Sequence, residues 1–225
     1  MQIIHTTLLG LFFGTFGTTL GGITGCLFNK VSNKFLSIIL SFASGLMMAV
    51  ISFDLIPKAL EISKIINVII GIIFGILMMM ICEILVETKF KGKQLNSNSL
   101  LKTGIVVSIG LAIHNFPEGL AIGSGFDVST KLGIGLATAI CLHDIPEGIS
   151  MAVPMKNGGM KIFKVLTYVI FSGITTGIGA FFGAIIGNIS KTIIAFSLSF
   201  AARSYAVYCF SENCYLNQIG CIMVN

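Results

Sequence analysis

A chain of 225 residues that is 55% hydrophobic, only 10% charged and of mean hydropathy +0.97 is too poor in charge for a water-soluble domain, which carries about 25% charged residues. Apolar runs of about 20 residues each would consume nearly all of it, which excludes a separate soluble domain and sets the fold class as an all-α polytopic membrane protein. The net charge of +5 then bears on topology rather than on acidic partners, and no nucleic-acid partner is expected.

Seven apolar segments are predicted, near 3–28, 36–57, 65–86, 102–125, 132–153, 162–188 and 192–210, from run length and from the polar clusters that break them. The first has no basic stretch before it and is too long for the apolar core of a signal peptide, so it reads as a retained helix. It carries Gly10, Gly14, Gly17, Gly21, Gly22 and Gly25, and the sixth carries Gly173, Gly177, Gly179, Gly183 and Gly187. Small residues three or four apart let helix backbones approach closely in lipid, so these glycines are expected to pack and not to react. The longest polar stretch, Glu87 to Ser99, holds Lys89, Lys91 and Lys93 and reads as a solvated loop. The six cysteines include no CxxC pair. Cys26, Cys82 and Cys141 fall in apolar runs, where a small buried hydrophobe is the expected role, and no disulfide framework is implied.

Lysines are unevenly shared between the two sides. With the N-terminus outside, nine (Lys30, Lys34, Lys89, Lys91, Lys93, Lys102, Lys156, Lys161 and Lys164) lie inside and four (Lys58, Lys64, Lys131 and Lys191) outside. That bias favours an outside N-terminus, so the fourth segment runs outward and the fifth inward.

Those two segments contain the chain's least expected residues. His114-Asn115-Phe116-Pro117-Glu118-Gly119 and His143-Asp144-Ile145-Pro146-Glu147-Gly148 each set an imidazole and a carboxylate four residues apart, hence on one helix face. Titratable groups at that depth are costly and mark ion pathways. Pro117 and Pro146 lack an N–H, so each frees the carbonyl four residues earlier, Ile113 or Leu142, and kinks its helix. Lys102 to His114 and Lys131 to His143 are each twelve residues, about 18 Å of helix. In a core of about 30 Å entered from opposite faces, both imidazoles reach the midplane. Two His, two Glu, Asp144 and Asn115 form a nitrogen–oxygen set that suits zinc, and also iron or manganese, better than copper(I). Two other readings use the same residues. One is a proton relay without metal. The other is an intramembrane metal hydrolase, which would need three ligands around an activated water and a general base. No HExxH occurs, and a doubled motif looks more like a conduit than a catalytic pocket, so neither an enzyme nor a catalytic cofactor is expected.

The blocks HNFPEGLAIG and HDIPEGISMA resemble the fourth and fifth helices of the ZIP (Zrt/Irt-like) metal-ion transporters, above all the bacterial ZupT/GufA-like branch. The resemblance covers residues 1–202. It implies uptake of divalent metal, chiefly zinc, across the cell membrane into the cytoplasm, through eight helices arranged as an inverted repeat. By the same resemblance His114, Glu118, His143 and Glu147 correspond to the primary transport site. Asn115 and Asp144, with the glutamates bridging, correspond to a second adjacent metal position. Met47 corresponds to a weaker ligand position and Asp54 to the outer entrance. The chain departs from some relatives in the sixth segment, where Ser172-Gly173-Ile174-Thr175-Thr176-Gly177 offers hydroxyls in place of a metal-binding glutamate. It also lacks the histidine run that many eukaryotic members carry in the inner loop. The expected partners are a divalent metal ion as substrate, the lipid bilayer and a second copy in a homodimer.

A further repeat is visible at an offset of 158 residues: Leu40-Ser41-Phe42-Ala43-Ser44 matches Leu198-Ser199-Phe200-Ala201-Ala202, as the inverted repeats of transporters would have it. The match stops at Arg203, opposite Gly45, and the chain continues polar, with Cys209, Cys214 and Cys221 and without an eighth apolar span. A slipped reading frame accounts for this. Arg203 to Val207 back-translates so that a one-base shift reads Gly-Ala-Met-Leu-Tyr, and Glu212 to Ile219 so that the shifted frame reads Lys-Leu-Leu-Pro-Glu-Ser-Asn-Arg. The restored Gly, Met and Pro fall opposite Gly45, Met47 and Pro57. The expected division is therefore a transmembrane metal-transport domain over 1–202 and an aberrant tail over 203–225, with an inactive transporter product as the alternative outcome. Arg203 within the last apolar segment would cost roughly 2.5–3.5 kcal/mol to insert.

Overall fold

Inside lipid the backbone has no water to bond, so the chain satisfies its N–H and C=O groups within helices. The computed structural model describes residues 2–27, 33–91, 99–187 and 189–202. They form α1 (Gln2–Leu27), α2 (Asn33–Val50), a π-helical turn (Ile51–Leu55), α3 (Ile56–Ile62), α4 (Ile65–Lys91), α5 (Ser99–Val128), α6 (Thr130–Asn157), α7 (Ile162–Gly187) and α8 (Lys191–Ala202). Five of these helices are long and apolar enough to cross a membrane: α1, α4, α5, α6 and α7. The chain is a multi-pass helical membrane protein.

The seven predicted segments correspond to these helices, with two differences among the described residues. The second segment is not one helix. After Val50 the ladder widens to a π turn, in which the Ile56 N–H bonds the Ile51 carbonyl, and α3 follows with Pro57 in its first turn. Pro57 has no N–H to offer the Phe53 carbonyl, and a π turn is a common way to absorb such a break. The second difference is at α4, which runs on to Lys91, five residues into the stretch read as loop. That stretch, Glu87-Thr88-Lys89-Phe90-Lys91, contains neither Gly nor Pro to stop it. Residues 92–98 and 203–225 lie outside the described residues, and with them most of the lysine-rich loop and the tail.

Two turns fix the helices that matter most. A single residue, Ser129, joins α5 to α6: its backbone is extended and its hydroxyl accepts the Leu132 N–H at 3.2 Å, capping α6. The two helices therefore run antiparallel as a tight hairpin. At the other end of α6, Gly159 turns with φ +87°, a conformation that favours glycine, and the Met160 N–H bonds the Met155 carbonyl at 3.0 Å. This turn delivers the chain into α7.

Helices α1, α5, α6 and α7 pack on one another as the inner unit. Two seams hold it. On α1, a Cβ at Gly21 would overlap the carbonyl of Ile145, with Gly148 facing it on α6. On α7, a Cβ at Gly179 would overlap the carbonyl of Phe116, with Gly119 facing it on α5. Gly21 and Gly179 are 158 residues apart, and Ile145 and Phe116 each immediately precede the motif proline. The offset found between α2 and α8 thus extends to α1 and α7, and the two seams are repeat-related. With lipid as apolar as the side chains, such close van der Waals contact is what favours helix association.

A second group, α2, α3, α4 and α8, flanks this unit. Phe74 of α4 lies 5.8 Å from the Phe196 ring and 5.9 Å from the Phe200 ring of α8. Val50 and Leu55 join Leu198 and Ala201 in an apolar cluster with Ala121 and Ile122 of α5 and Ala137 and Ile140 of α6. Outward, α1 presents Leu8, Phe12, Phe16 and Leu20 at 58%, 57%, 51% and 43% exposure, an apolar face suited to acyl chains and not to water.

Candidate metal centre

His114 and His143 lie fifteen residues before and fourteen after Ser129, so the antiparallel hairpin brings them level. Their ring centroids are 6.1 Å apart. Four-residue spacing then stacks each carboxylate against its own imidazole. The His114 Nε2 is 3.5 Å from Glu118 Oε1, and the His143 Nε2 is 3.0 Å from Glu147 Oε1. The hairpin adds a cross-helix approach, with His143 Nδ1 at 3.5 Å from Glu118 Oε1, and Asp144 Oδ1 stands 3.4 Å from the same nitrogen. All six polar motif residues (His114, Asn115, Glu118, His143, Asp144 and Glu147) are at most 3% exposed.

The cluster is polar without being self-sufficient. None of the carboxylate oxygens of Glu118, Asp144 and Glu147 has an aligned hydrogen-bond donor, despite the short approaches to imidazole nitrogen. Burying a carboxylate in this state costs roughly several kcal/mol. A divalent cation among them would replace its own water shell with these oxygens and offset that cost. Two triads have ligand atoms within 4.8 Å of one another: His114, His143 and Glu147, and Glu118, His143 and Asp144. Three nitrogen and oxygen ligands plus one open position is ordinary zinc coordination.

Asn115 is held differently. Its Nδ2 donates to the Ser172 carbonyl at 3.0 Å and to the Ser172 hydroxyl at 3.2 Å on α7, leaving a buried Oδ1 without a donor. The amide orientation is therefore set by α7, and its oxygen remains available as a hard ligand. Sequence reasoning noted Ser172 only as a hydroxyl replacing a glutamate. Its partnership with Asn115 spans 57 residues and left no local signal. Thr176, one turn further along α7, is fully buried and its Oγ1 has no partner.

Two predicted pathway residues lie apart from this cluster. Met47 is 1% exposed and sits in the apolar cluster with Ala121, Ile122 and Ile140, residues one turn from Glu118 and His143. Asp54 is exposed in the π turn, two turns beyond Met47, and the structure does not bring it to the buried ligands. Cys26 and Cys141 are buried, as their apolar surroundings predicted, whereas Cys82 on α4 is only half-buried.

Known proteins with related sequences bear on this arrangement. Residues 92–202 match the family described as ZIP zinc transporter. The chain is 32% identical to the zinc transporter ZupT of Campylobacter jejuni, over 82% of this chain and 77% of that protein. It is 31% identical to the ZupT zinc transporter of Streptococcus mutans, over 80% of this chain and 72% of that protein. The ZupT protein of Shigella flexneri matches at 31% over a shorter stretch, 46% of this chain and 44% of the relative. With the twin motif, the buried His–Glu–Asp cluster and these matches together, the chain belongs to the ZIP family, a family of transporters and not of enzymes.

Proposed function

We propose that this chain carries divalent metal ions, zinc foremost, through the cell membrane into the cytoplasm, with His114, Glu118, His143 and Glu147 as the principal ion ligands and Asn115 and Asp144 beside them. The observation that carries this reading is the set of buried carboxylate oxygens without donors, gathered with two imidazoles at mid-helix. A divalent cation is the species such a donor set suits. Met47 borders the ion's route and Asp54 stands at its outer entrance, where an exposed carboxylate raises the local cation concentration. The lysine bias supports an N-terminus outside, so the ion passes from the Asp54 end to the lysine-rich side. Alternating access, or a slow conduit, around the buried centre moves it. Acyl chains cover the apolar outer faces, and a homodimer shares part of them.

Residues 1–202 form the transport domain, and 203–225 are out of frame with it. Support comes from the family match ending at residue 202 and from the 158-residue repeat, which runs from α1 and α7 to Ala202 and breaks at Arg203. Genomic codons incompatible with the one-base shifts would refute this division.

Zinc accumulation in vesicles containing the full chain, compared with a version whose frame is restored beyond Ala202 and read with a trapped zinc-sensitive dye, tests the function. The reading predicts a saturable dye response. Proton movement with no accumulation of metal would favour the relay instead.

A further inference from the structure

We propose that two copies of this chain pair through the outward face of α2, where Ser41, Phe42 and Gly45 meet their counterparts about a two-fold axis. This rests on the homodimer reading above and assigns that dimer its surface.

The 158-residue repeat sets α2 against α8, yet the two helices are covered unequally. On α8, α4 lies over Phe196, Ser199 and Phe200. A Cβ at Gly71 of α4 would overlap the Ser199 hydroxyl oxygen, and one at Gly75 would overlap the Phe200 carbonyl. The Phe74 ring stands against those of Phe196 and Phe200. Ser199 is fully buried and Phe200 is 4% exposed. The equivalent residues of α2 are Ile38, Ser41 and Phe42, and all three are exposed, Phe42 at 67%. An added Cβ at Gly45, one turn beyond Ser41, meets nothing within 4 Å. Among the described residues no helix covers this face. The sequence from Arg203 to Asn225 holds no apolar run of the about 20 residues that a spanning helix takes.

The face has the relief of a helix contact. Phe35, Ile38, Phe42 and Gly45 recur at steps of three, four and three, and all are exposed. That spacing keeps one stripe turned toward a partner helix. Ser41 and Gly45, four apart, leave a step low enough for two backbones to approach. The outward face of α1 differs, because Leu8, Phe12, Phe16 and Leu20 are bulky throughout and suit acyl chains. In lipid, apolar side chains alone gain nothing by leaving acyl chains for another helix, whereas a small-residue step gains close van der Waals packing. The α2 stripe carries no charge, so two copies do not repel. It is also complementary to itself: turned by half a revolution, Phe42 of each copy rests over the Ser41–Gly45 step of the other. An isologous contact of this kind closes at two copies.

Pairing is read by energy transfer between full chains fused to a donor and to an acceptor fluorescent protein, mixed in lipid vesicles. Transfer above that of the same chains diluted in excess lipid is expected. Gly45→Leu should abolish it. The larger side chain enters open space within the single chain, so an unaltered thermal denaturation midpoint checks that the fold stands. Ser41→Cys and Gly45→Cys, oxidised in vesicles, locate the contact. At least one of them should give disulfide-linked dimer in excess of the unmodified chain, whose own cysteines set the background, and Phe12→Cys on α1 should give none. Transfer that survives Gly45→Leu, or linkage from Phe12→Cys alone, would put the dimer on another face and overturn the inference while leaving the homodimer intact. Absence of transfer from the unmodified chain would overturn both, acyl chains then covering α2 as they cover α1.

Discussion

A carboxylate in the middle of a membrane helix is tolerated only with compensation, and Glu118, Asp144 and Glu147 find none in aligned donors. Their value lies in the cation they can accept. Truncating His114 to Ala removes one nitrogen and leaves the remaining ligands in place, so zinc uptake should show an affinity loss of more than about tenfold, measured as a rise in the half-saturating zinc concentration. Protons compete for the same groups, because imidazole and carboxylate ligate only when deprotonated. Ligation is therefore fullest near neutrality and falls as pH falls, and uptake measured from pH 8 down to pH 5 should decline steadily. A rise toward acid pH would contradict this. The buried cluster of His114, Glu118, His143, Asp144 and Glu147 was legible in the sequence because ionisable residues are conspicuous in an apolar run. The role of Ser172 was not, since a serine in a membrane helix is unremarkable until its partner Asn115, 57 residues away, is known. The approach of His143 to both Glu118 and Glu147 likewise depends on ring orientation, which spacing alone does not give.

Helix positions along the chain followed from run length, because the bilayer sets a minimum span. The break at Ile51–Leu55 had a visible cause in Pro57. Its form as a π turn, and not a simple kink, depends on how the neighbouring helices accept the extra residue. The glycine seams were legible on one side only: spacing marked Gly21 and Gly179 as packing positions, but not the carbonyls they meet. Those carbonyls belong to Ile145 and Phe116, adjacent in sequence to the proposed ligands Asp144 and Asn115. Any side chain at Gly21 must push α1 away from α6 at the level of the centre. Gly21→Leu should therefore lower thermal stability by about 1–3 kcal/mol and reduce zinc uptake. Gly135 in the same bundle meets nothing within 4 Å of an added Cβ and faces outward. Gly135→Ala should be neutral or stabilising by up to about 1 kcal/mol, because alanine loses less backbone entropy in a helix. Thermal denaturation in detergent separates the two outcomes.

Across the whole molecule, the 158-residue offset ties α1 to α7 and α2 to α8, with α5 and α6 facing each other across the centre. An inverted repeat of this kind places equivalent surfaces toward both sides of the membrane, which is the geometry alternating access requires. Its first trace was legible as the five-residue match of Leu40–Ser44 with Leu198–Ala202. The α1–α7 correspondence was hidden because its identities at that offset (Ile4/Ile162, Leu8/Leu166, Phe13/Phe171, Thr18/Thr176, Gly21/Gly179 and Gly25/Gly183) are scattered and no two adjoin. The orientation proposed from the lysine bias predicts that a non-permeant reagent on intact cells labels a cysteine placed at position 2 and spares one placed at position 93. The reverse pattern would invert the direction of transport. The most direct test of the central claim is zinc uptake by vesicles carrying the chain with its reading frame restored beyond Ala202, against the same protein bearing His114→Ala and His143→Ala, at equal protein. The twin-motif site predicts saturable uptake in the first and background uptake in the second, whereas equal uptake by both would contradict it.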